Sequence, residues 1–546
     1  MTLLRWAKAI SVAVLLTGAA AKAGDIRFEN VTAAVGLEPM LKDWRLAHSA
    51  SWGDLNNDGW PELYIGAFAS VPRWTDGPIP NMLFFNHGGK SFTLSPEKDL
   101  QFDRLHARPS QVLMADLDQD GDLDMVIACH ASTTNEFQTT LWENKGDGAF
   151  RNATPKTGYW PNPMGYRNLA AVDLNGDGLL DVAACDNNYS NWRSGKGSLM
   201  ILLNKGGFTF EDGRERYGLP PDHTTGFGLA VGDVNDDGRP DFFVADCNRF
   251  FVSGPDGRYR EIQHGAFLPP DGRDRESHTC GAVFGDVNGD GLLDLATTEH
   301  GGYAQVRLYL NQGITNGLPS FRMVTREAGI EGAFPVKGIT GLAVKSANLA
   351  IVDMDNDGRK DIWVDVVWKA TNGVVQPLVY RNLGNDAGGV PRFTPAPLDR
   401  IVGYYATAPV ADFDRDGRMD VFLAGWFKWD ETPTTLFRNV TEGGHWLEVR
   451  VRGGGKFNTM GIGAVVKAYQ AGRAGDVKAL IQRHDIAVGT GYSSGEEALA
   501  HLGLGTNAAV DVEILWGEET RVMRGQATDR LMEVDWTKAP ANAERQ

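Results

Sequence analysis

Seven copies of a nine-residue acidic phrase, Asp-x-(Asp/Asn)-x-Asp-Gly-x-x-(Asp/Glu), constrain this chain more than any other feature. They begin at Asp54, Asp116, Asp173, Asp233, Asp286, Asp353 and Asp412, at intervals of 53 to 67 residues. Oxygen-bearing side chains at positions 1, 3, 5 and 9 can converge on one hard cation. Glycine at position 6 takes the sharp turn, and the carbonyl at position 7 can add a ligand. The first half matches an EF-hand loop, but the closing acid falls at 9 rather than 12. Short apolar runs of β type follow, such as Leu63–Ile65 and Val421–Leu423, where an EF-hand would have helices. Each loop is therefore expected to join two strands. One such phrase could be an ordinary Asp/Gly turn; seven at a regular interval make a repeat.

The repeat has further parts. An aromatic phrase opens at Phe28, Phe92, Phe150, Phe210, Tyr259, Phe321 and Phe393, and an apolar strand ends in Asn at 86, 144, 204, 311, 382 and 439. The fourth repeat lacks that Asn. The interval suits four short strands with turns, the size of a propeller blade. A linear solenoid is the alternative, but its end units should read as caps, and these do not. The chain starts with a lone aromatic phrase at Phe28 and its last repeat ends at Asn439 without one, so the first segment is expected to complete the last blade. The expected fold is all-β: a seven-bladed propeller over 24–440, followed by a small β domain over 441–537 and a polar tail over 538–546.

Residues 1–23 read as a cleavable signal peptide. Arg5 and Lys8 give the charged start, Ala9–Ala21 the apolar stretch, and Ala21 to Ala23 a small-x-small site; a membrane anchor is the alternative. The mature chain carries no further segment able to span a bilayer, so a secreted or periplasmic protein is expected. The net charge is −17, yet the seven loops alone place 24 carboxylates at candidate ligand positions. The remainder is mildly basic without a basic tract, which disfavours nucleic acid as a partner. Cys129, Cys185, Cys247 and Cys280 allow three pairings. Cys247 with Cys280 is the preferred pair, with buried thiols the alternative.

These loops, with their Phe and Asn phrases, resemble FG-GAP/VCBS repeats, as in integrin α-subunit propellers. The C-terminal stretch resembles the ASPIC/UnbV domain, through Asn458–Ala464, Gly489–Ser493 and Leu502–Gly505, with Trp516-Gly517 where that domain usually has Trp-Pro. Together they resemble the CRTAC1-like proteins over nearly all of the mature chain. The resemblance implies an extracellular calcium-binding propeller and no settled activity.

The candidate ligands are Asp54, Asn56, Asp58 and Glu62; Asp116, Asp118, Asp120 and Asp124; Asp173, Asn175, Asp177 and Asp181; Asp233, Asn235, Asp237 and Asp241; Asp286, Asn288, Asp290 and Asp294; Asp353, Asp355, Asp357 and Asp361; and Asp412, Asp414, Asp416 and Asp420. Many oxygens per loop favour calcium over magnesium, and the lack of His or Cys argues against transition metals. Up to seven structural Ca²⁺ ions are expected. A second candidate surface lies at the opposite face, where strand ends carry His48, Arg108, His130, Arg167, Trp192, His278, Glu299, His300, Trp368 and Trp426. Such residues suit a binding module for extracellular protein or carbohydrate, or else they fill seams between blades. The alternative function is an extracytoplasmic lyase, hydrolase or cyclase working in an axial pocket there, with a carboxylate–His pair as acid and base.

Overall fold

The computed structural model describes residues 25–538 and 544–545. Within that span 43–46, 68–79, 97–108, 130–138, 155–165 save Gly158, 187–198, 221–225, 247, 263–276, 302–305, 331–343, 346, 366, 369–377, 398–404 and 426–433 are excepted. The signal-peptide reading and Cys247 lie outside the described residues.

The acidic loops do join strands. Blade 1 runs Ala47–Gly53, Glu62–Ala67, Met82–Asn86 and Phe92–Leu94, antiparallel in chain order, with the first loop between its two inner strands. The same meander recurs from Pro109, Tyr166, Gly226, Ser277 and Leu349. Blade 7 takes its fourth strand from the other end of the chain: Phe28–Asn30 pairs with Thr435–Asn439, Phe28 opposite Asn439. The structure is thus a seven-bladed β-propeller followed by a small β domain, and the expected closure by the first segment is present.

Packing closes the circle a second way. Seven hydrophobic clusters each lie between two adjacent blades, and the one uniting Trp52 and Leu63 of blade 1 with Phe413 and Phe422 of blade 7 completes the ring. A strand buried on both faces reads as an unbroken apolar run, which is why Leu63–Ile65 and Phe242–Val244 show no alternation.

The recurrent Asn has a definite task. Asn144 Nδ2 donates to the carbonyl of Leu123 in its own blade (3.0 Å) and to that of Leu55 in blade 1 (2.7 Å). Asn86, Asn204, Asn311, Asn382 and Asn439 each reach the preceding blade in the same way, Asn86 reaching Phe413 of blade 7. Six of the seven junctions carry this amide latch. Blade 4 has Ser253 at that place and no amide to offer.

From His445 the chain builds two further sheets. One pairs His445–Arg452 with Ala500–Gly505 and Arg530–Asp535; the other centres on Val465–Gln470 and Ala509–Trp516. Alternate residues Leu447, Val449 and Val451 share a core with Val512, Ile514, Trp516 and Trp536. This domain does not hang free. Its arm, residues 488–495, runs into the propeller axis, where Ser494 and Gly495 pair in parallel with Ala50 and Ser51.

The arm bonds to every blade in turn. Ala50 N donates to Ser493 O, Gln111 Nε2 to Ser494 O and Asn168 Nδ2 to Gly489 O. Gly491 N donates to Leu229 O and Ala282 O, Tyr492 N to Asn348 Oδ1, and Thr407 Oγ1 to Tyr492 O, at 2.7–3.4 Å throughout. Gly489 and Gly491 have φ of +80° and +86°, and a Cβ at Gly489 would overlap the Leu169 carbonyl oxygen. Cys129, Cys185 and Cys280 are buried. Cys280 packs with Ala347 and Tyr492 of the arm, and its expected pairing with Cys247 falls outside the described residues.

Two substitutions test these contacts. Asn144→Ala removes two donors from buried carbonyls and should lower unfolding stability by about 2–4 kcal/mol in urea titration. Gly489→Ala should cost at least as much, because left-handed backbone and overlap add. It should also speed proteolysis of the C-terminal domain.

Candidate functional site

Three hydrogen bonds recur in all seven acidic loops and fix their shape. The first carboxylate accepts from the amide of the glycine at position 6, from Gly59 N to Asp54 (3.0 Å) through Gly417 N to Asp412 (2.7 Å). The ninth accepts at one oxygen from the amide at position 2, as Leu117 N to Asp124 (2.9 Å). Its other oxygen accepts from the amide that ends the third strand, as Asn144 N to Asp124 (3.0 Å). Each carboxylate oxygen keeps a second lone pair.

The side chains at the ligand positions converge. Where position 3 is Asp, three carboxylates bring oxygens within 4.8 Å of one another: Asp116, Asp118 and Asp124; Asp353, Asp355 and Asp357; Asp412, Asp414 and Asp420. In the other four loops Asn56, Asn175, Asn235 and Asn288 hold position 3. Each turns its amide nitrogen onto the Asp at position 5, at 2.8–3.2 Å. Rotation of that amide presents Oδ1 to the same point. Asp54 Oδ1, Asp116 Oδ1, Asp414 Oδ1 and Asn235 Oδ1 are buried without a hydrogen-bond donor among the described residues. A hard cation supplies what such oxygens lack, so the residues fit one.

The loops are not equivalent. Position 7 is Arg239, Arg359 or Arg418 in loops 4, 6 and 7, and each folds back on the acid at position 5. Arg381 also pairs with Asp355 (2.5 Å) and Arg438 with Asp414 (2.7 Å). Two guanidinium groups therefore enter each of loops 6 and 7, including the copy whose acids match the phrase most fully. Nothing in the acidic spacing announces this; the signal is the Arg two residues after the Asp at position 5.

Burial pushes the loop carboxyls up. Desolvation raises Glu62 to about 9, Asp124 and Asp181 to about 8, Asp233 to about 7, and Asp118 and Asp173 to about 6, in each case against amide hydrogen bonds that lower it. Metal-free, these groups keep protons that an unfolded chain would release near pH 4.

The opposite-face candidates fare differently. Arg108, His130, Trp192 and Trp426 lie outside the described residues. His278 and His300 are cross-strand partners in blade 5, and Trp368 lies on a short strand beside it. Glu299 is ion-paired with Arg307. His48 and Arg167 do meet, but around the arm: Arg167 Nη1 donates to Tyr492 Oη (2.9 Å), and His48 Nε2 lies 3.2 Å from that same oxygen. All three are buried. Tyr492 is a residue that repeat-based reasoning passed over.

The acidic loops are also a docking face. Gln482 donates to Asp353 (2.6 Å), Thr459 to Asp116, and Arg483 to Asp236 (2.9 Å) and the Gly291 carbonyl (2.7 Å). Arg415 gives Nη1 and Nη2 to Glu497 at 2.9 and 2.7 Å. The C-terminal domain thus covers the loops and feeds its arm through their centre.

Comparison with known proteins agrees with this architecture. The chain carries FG-GAP-like repeats, matched over 54–127, 116–184 and 286–364, and an ASPIC and UnbV domain, matched over 454–541. It is 25% identical over 381 residues to Cartilage acidic protein 1 of Mus musculus, across 67% of this chain and 54% of that protein. The Xenopus tropicalis protein of the same name is 23% identical over 518 residues, across 90% of this chain and 73% of its own. The chain thus spans about half the length of the mouse relative. Among solved structures it is similar to Bacillus licheniformis Rhamnogalacturonan Lyase PL11, with TM-score 0.37 and 15% identity across 73% of this chain and 72% of that one, too distant to bear on function.

The raised carboxyls give a signed pH prediction. A group whose folded pKa exceeds its unfolded value stabilises below the unfolded pKa and loses that contribution as pH rises through the folded one. In chelator, Tm should therefore fall as pH rises from 5 to 9. In millimolar calcium the metal replaces the protons, and the fall should vanish. Two parallel curves in scanning calorimetry would contradict the coupling.

Proposed function

We propose that this chain is an exported, calcium-binding propeller that serves as a binding module for extracellular protein or carbohydrate. On this reading residues 1–23 direct export, 24–440 form the propeller, 441–537 the docked β domain and 538–546 a tail. No helix among the described residues is long and apolar enough to cross a membrane. The metal ligands are those of the seven phrases, with loops 6 and 7 weakened by their guanidinium groups.

Calcium is structural here. The closing acid of every loop is buried inside its turn, and those turns carry the docked domain. A site tenfold below saturating calcium in Kd contributes about 1.4 kcal/mol, so the five loops without paired guanidinium groups alone contribute roughly 7 kcal/mol. That rivals the whole net stability of a domain.

The observation that favours binding over catalysis is the state of the axial groups. Arg167 and His48 are held by Tyr492, and Glu299 by Arg307. Groups tied into internal contacts are poor acids and bases for an axial substrate, whereas a rigid ring with a filled centre suits recognition at its surface. This argues against the lyase, hydrolase or cyclase alternative.

Purified mature protein applied to glycan and secreted-protein arrays, with calcium and with chelator, tests the reading. Binding should be calcium-dependent, and chelation should lower Tm by at least 10 °C. An unchanged Tm would remove the structural role of the metal, and turnover of an arrayed glycan would restore the enzyme reading.

A further inference from the structure

Between the inner strands of blades 4 to 7 and the C-terminal domain lies a chamber of about 130 Å³. Val283, Leu349 and Ile351 line it with hydrocarbon from the propeller. Glu448, from the first strand of the C-terminal domain, borders it near loop 7, and Lys360 borders it at loop 6.

Glu448 is the anomaly. It is only 1% exposed, and neither carboxylate oxygen meets a hydrogen-bond donor among the described residues. The nearest cation is Arg415, with Nη1 at 3.8 Å, but that guanidinium already gives both terminal nitrogens to Glu497 and Nε to the Gly59 carbonyl. A carboxylate buried without donors is among the costliest arrangements in a protein interior. A group bringing N–H donors and a positive charge removes that cost. Water could satisfy the oxygens but would bring no positive charge. Calcium needs six or more oxygens, and the three-carboxylate clusters among the described residues all lie within the loops.

We propose that this chamber binds a small alkyl amine, its ammonium group on Glu448 and its hydrocarbon against Val283, Leu349 and Ile351. A cavity of about 150 Å³ holds a benzene-sized guest, so a chain of about four to six carbons fits. Lys360 sets the orientation. Its ammonium donates to the His501 carbonyl (3.3 Å) at the loop 6 end, which keeps a second cation away and confines the amine to the Glu448 end.

Isothermal titration of the full chain in saturating calcium, with isoamylamine and with isoamyl alcohol, tests this. Isoamylamine should bind one to one and at least tenfold more tightly than the alcohol. Glu448→Gln should abolish the preference. Ala487→Leu, which fills the chamber without changing a charge, should abolish binding of both. Equal affinities, no binding to the wild type, or an undiminished preference in Glu448→Gln overturns the proposal. Should Glu448→Gln fail to fold, the chamber-filling variant decides: undiminished amine binding there puts the site elsewhere and overturns it as well.

Discussion

The innermost strand of each blade turns its edge toward the axis, so seven rows of backbone polar groups converge on one channel. Such edges must be hydrated or paired. Here one arm of the C-terminal domain meets all seven blades, which makes propeller and domain a single unit: loosening either exposes polar groups of the other. Two glycines in left-handed backbone let the arm change direction within the narrow bore. The Gly-rich phrase is therefore set by lack of room, and Tyr492 at its tip by the Arg167 and His48 that receive its hydroxyl.

Much of the fold was legible because the repeat is local. Acid spacing, the glycine at position 6 and the flanking β-runs each act over a few residues, and their recurrence counts the blades directly. The lone aromatic phrase at Phe28 located the seam for the same reason. The Asn at each strand end was visible only as a recurring letter. Its amide reaches a carbonyl 77 or more residues away, and no periodicity names a partner at that range. The arm was further out of reach, since Tyr492 meets a histidine 444 positions earlier. Composition suggested a second domain but gave no hint of the face it would cover.

The same limit explains how the axial residues were read. His48 and Arg167 look like recognition groups when only the propeller is considered, because polar residues at strand ends around an axis suit a ligand. Their partner comes from the other domain, so an apparent external site is partly an internal one. The acidic loops show the converse. Their ligand sets were read position by position, yet Arg381 and Arg438, which enter loops 6 and 7 from a neighbouring strand, lie outside the phrase. A motif fixes which oxygens are offered; its surroundings set how strongly a cation is wanted.

The fourth repeat joins these threads. It is the copy without the Asn, and Ser253 directs its hydroxyl to Asp237 (2.7 Å) within its own loop, leaving blade 3 without an amide latch from blade 4. At that junction the loops stand apart around a cleft of about 480 Å³, and the C-terminal domain fills the bridging role. Phe457, Trp516 and Gly517 line the cleft beside both loops. At Gly178 of loop 3 a Cβ would overlap the Gly455 carbonyl oxygen, so the turn of the C-terminal domain lies directly on that loop. Arg483 then ties the Asp233 carbonyl and Asp236 of loop 4 to the Gly291 carbonyl of loop 5. The docked domain thus lies over the one junction, between blades 3 and 4, that has no amide latch.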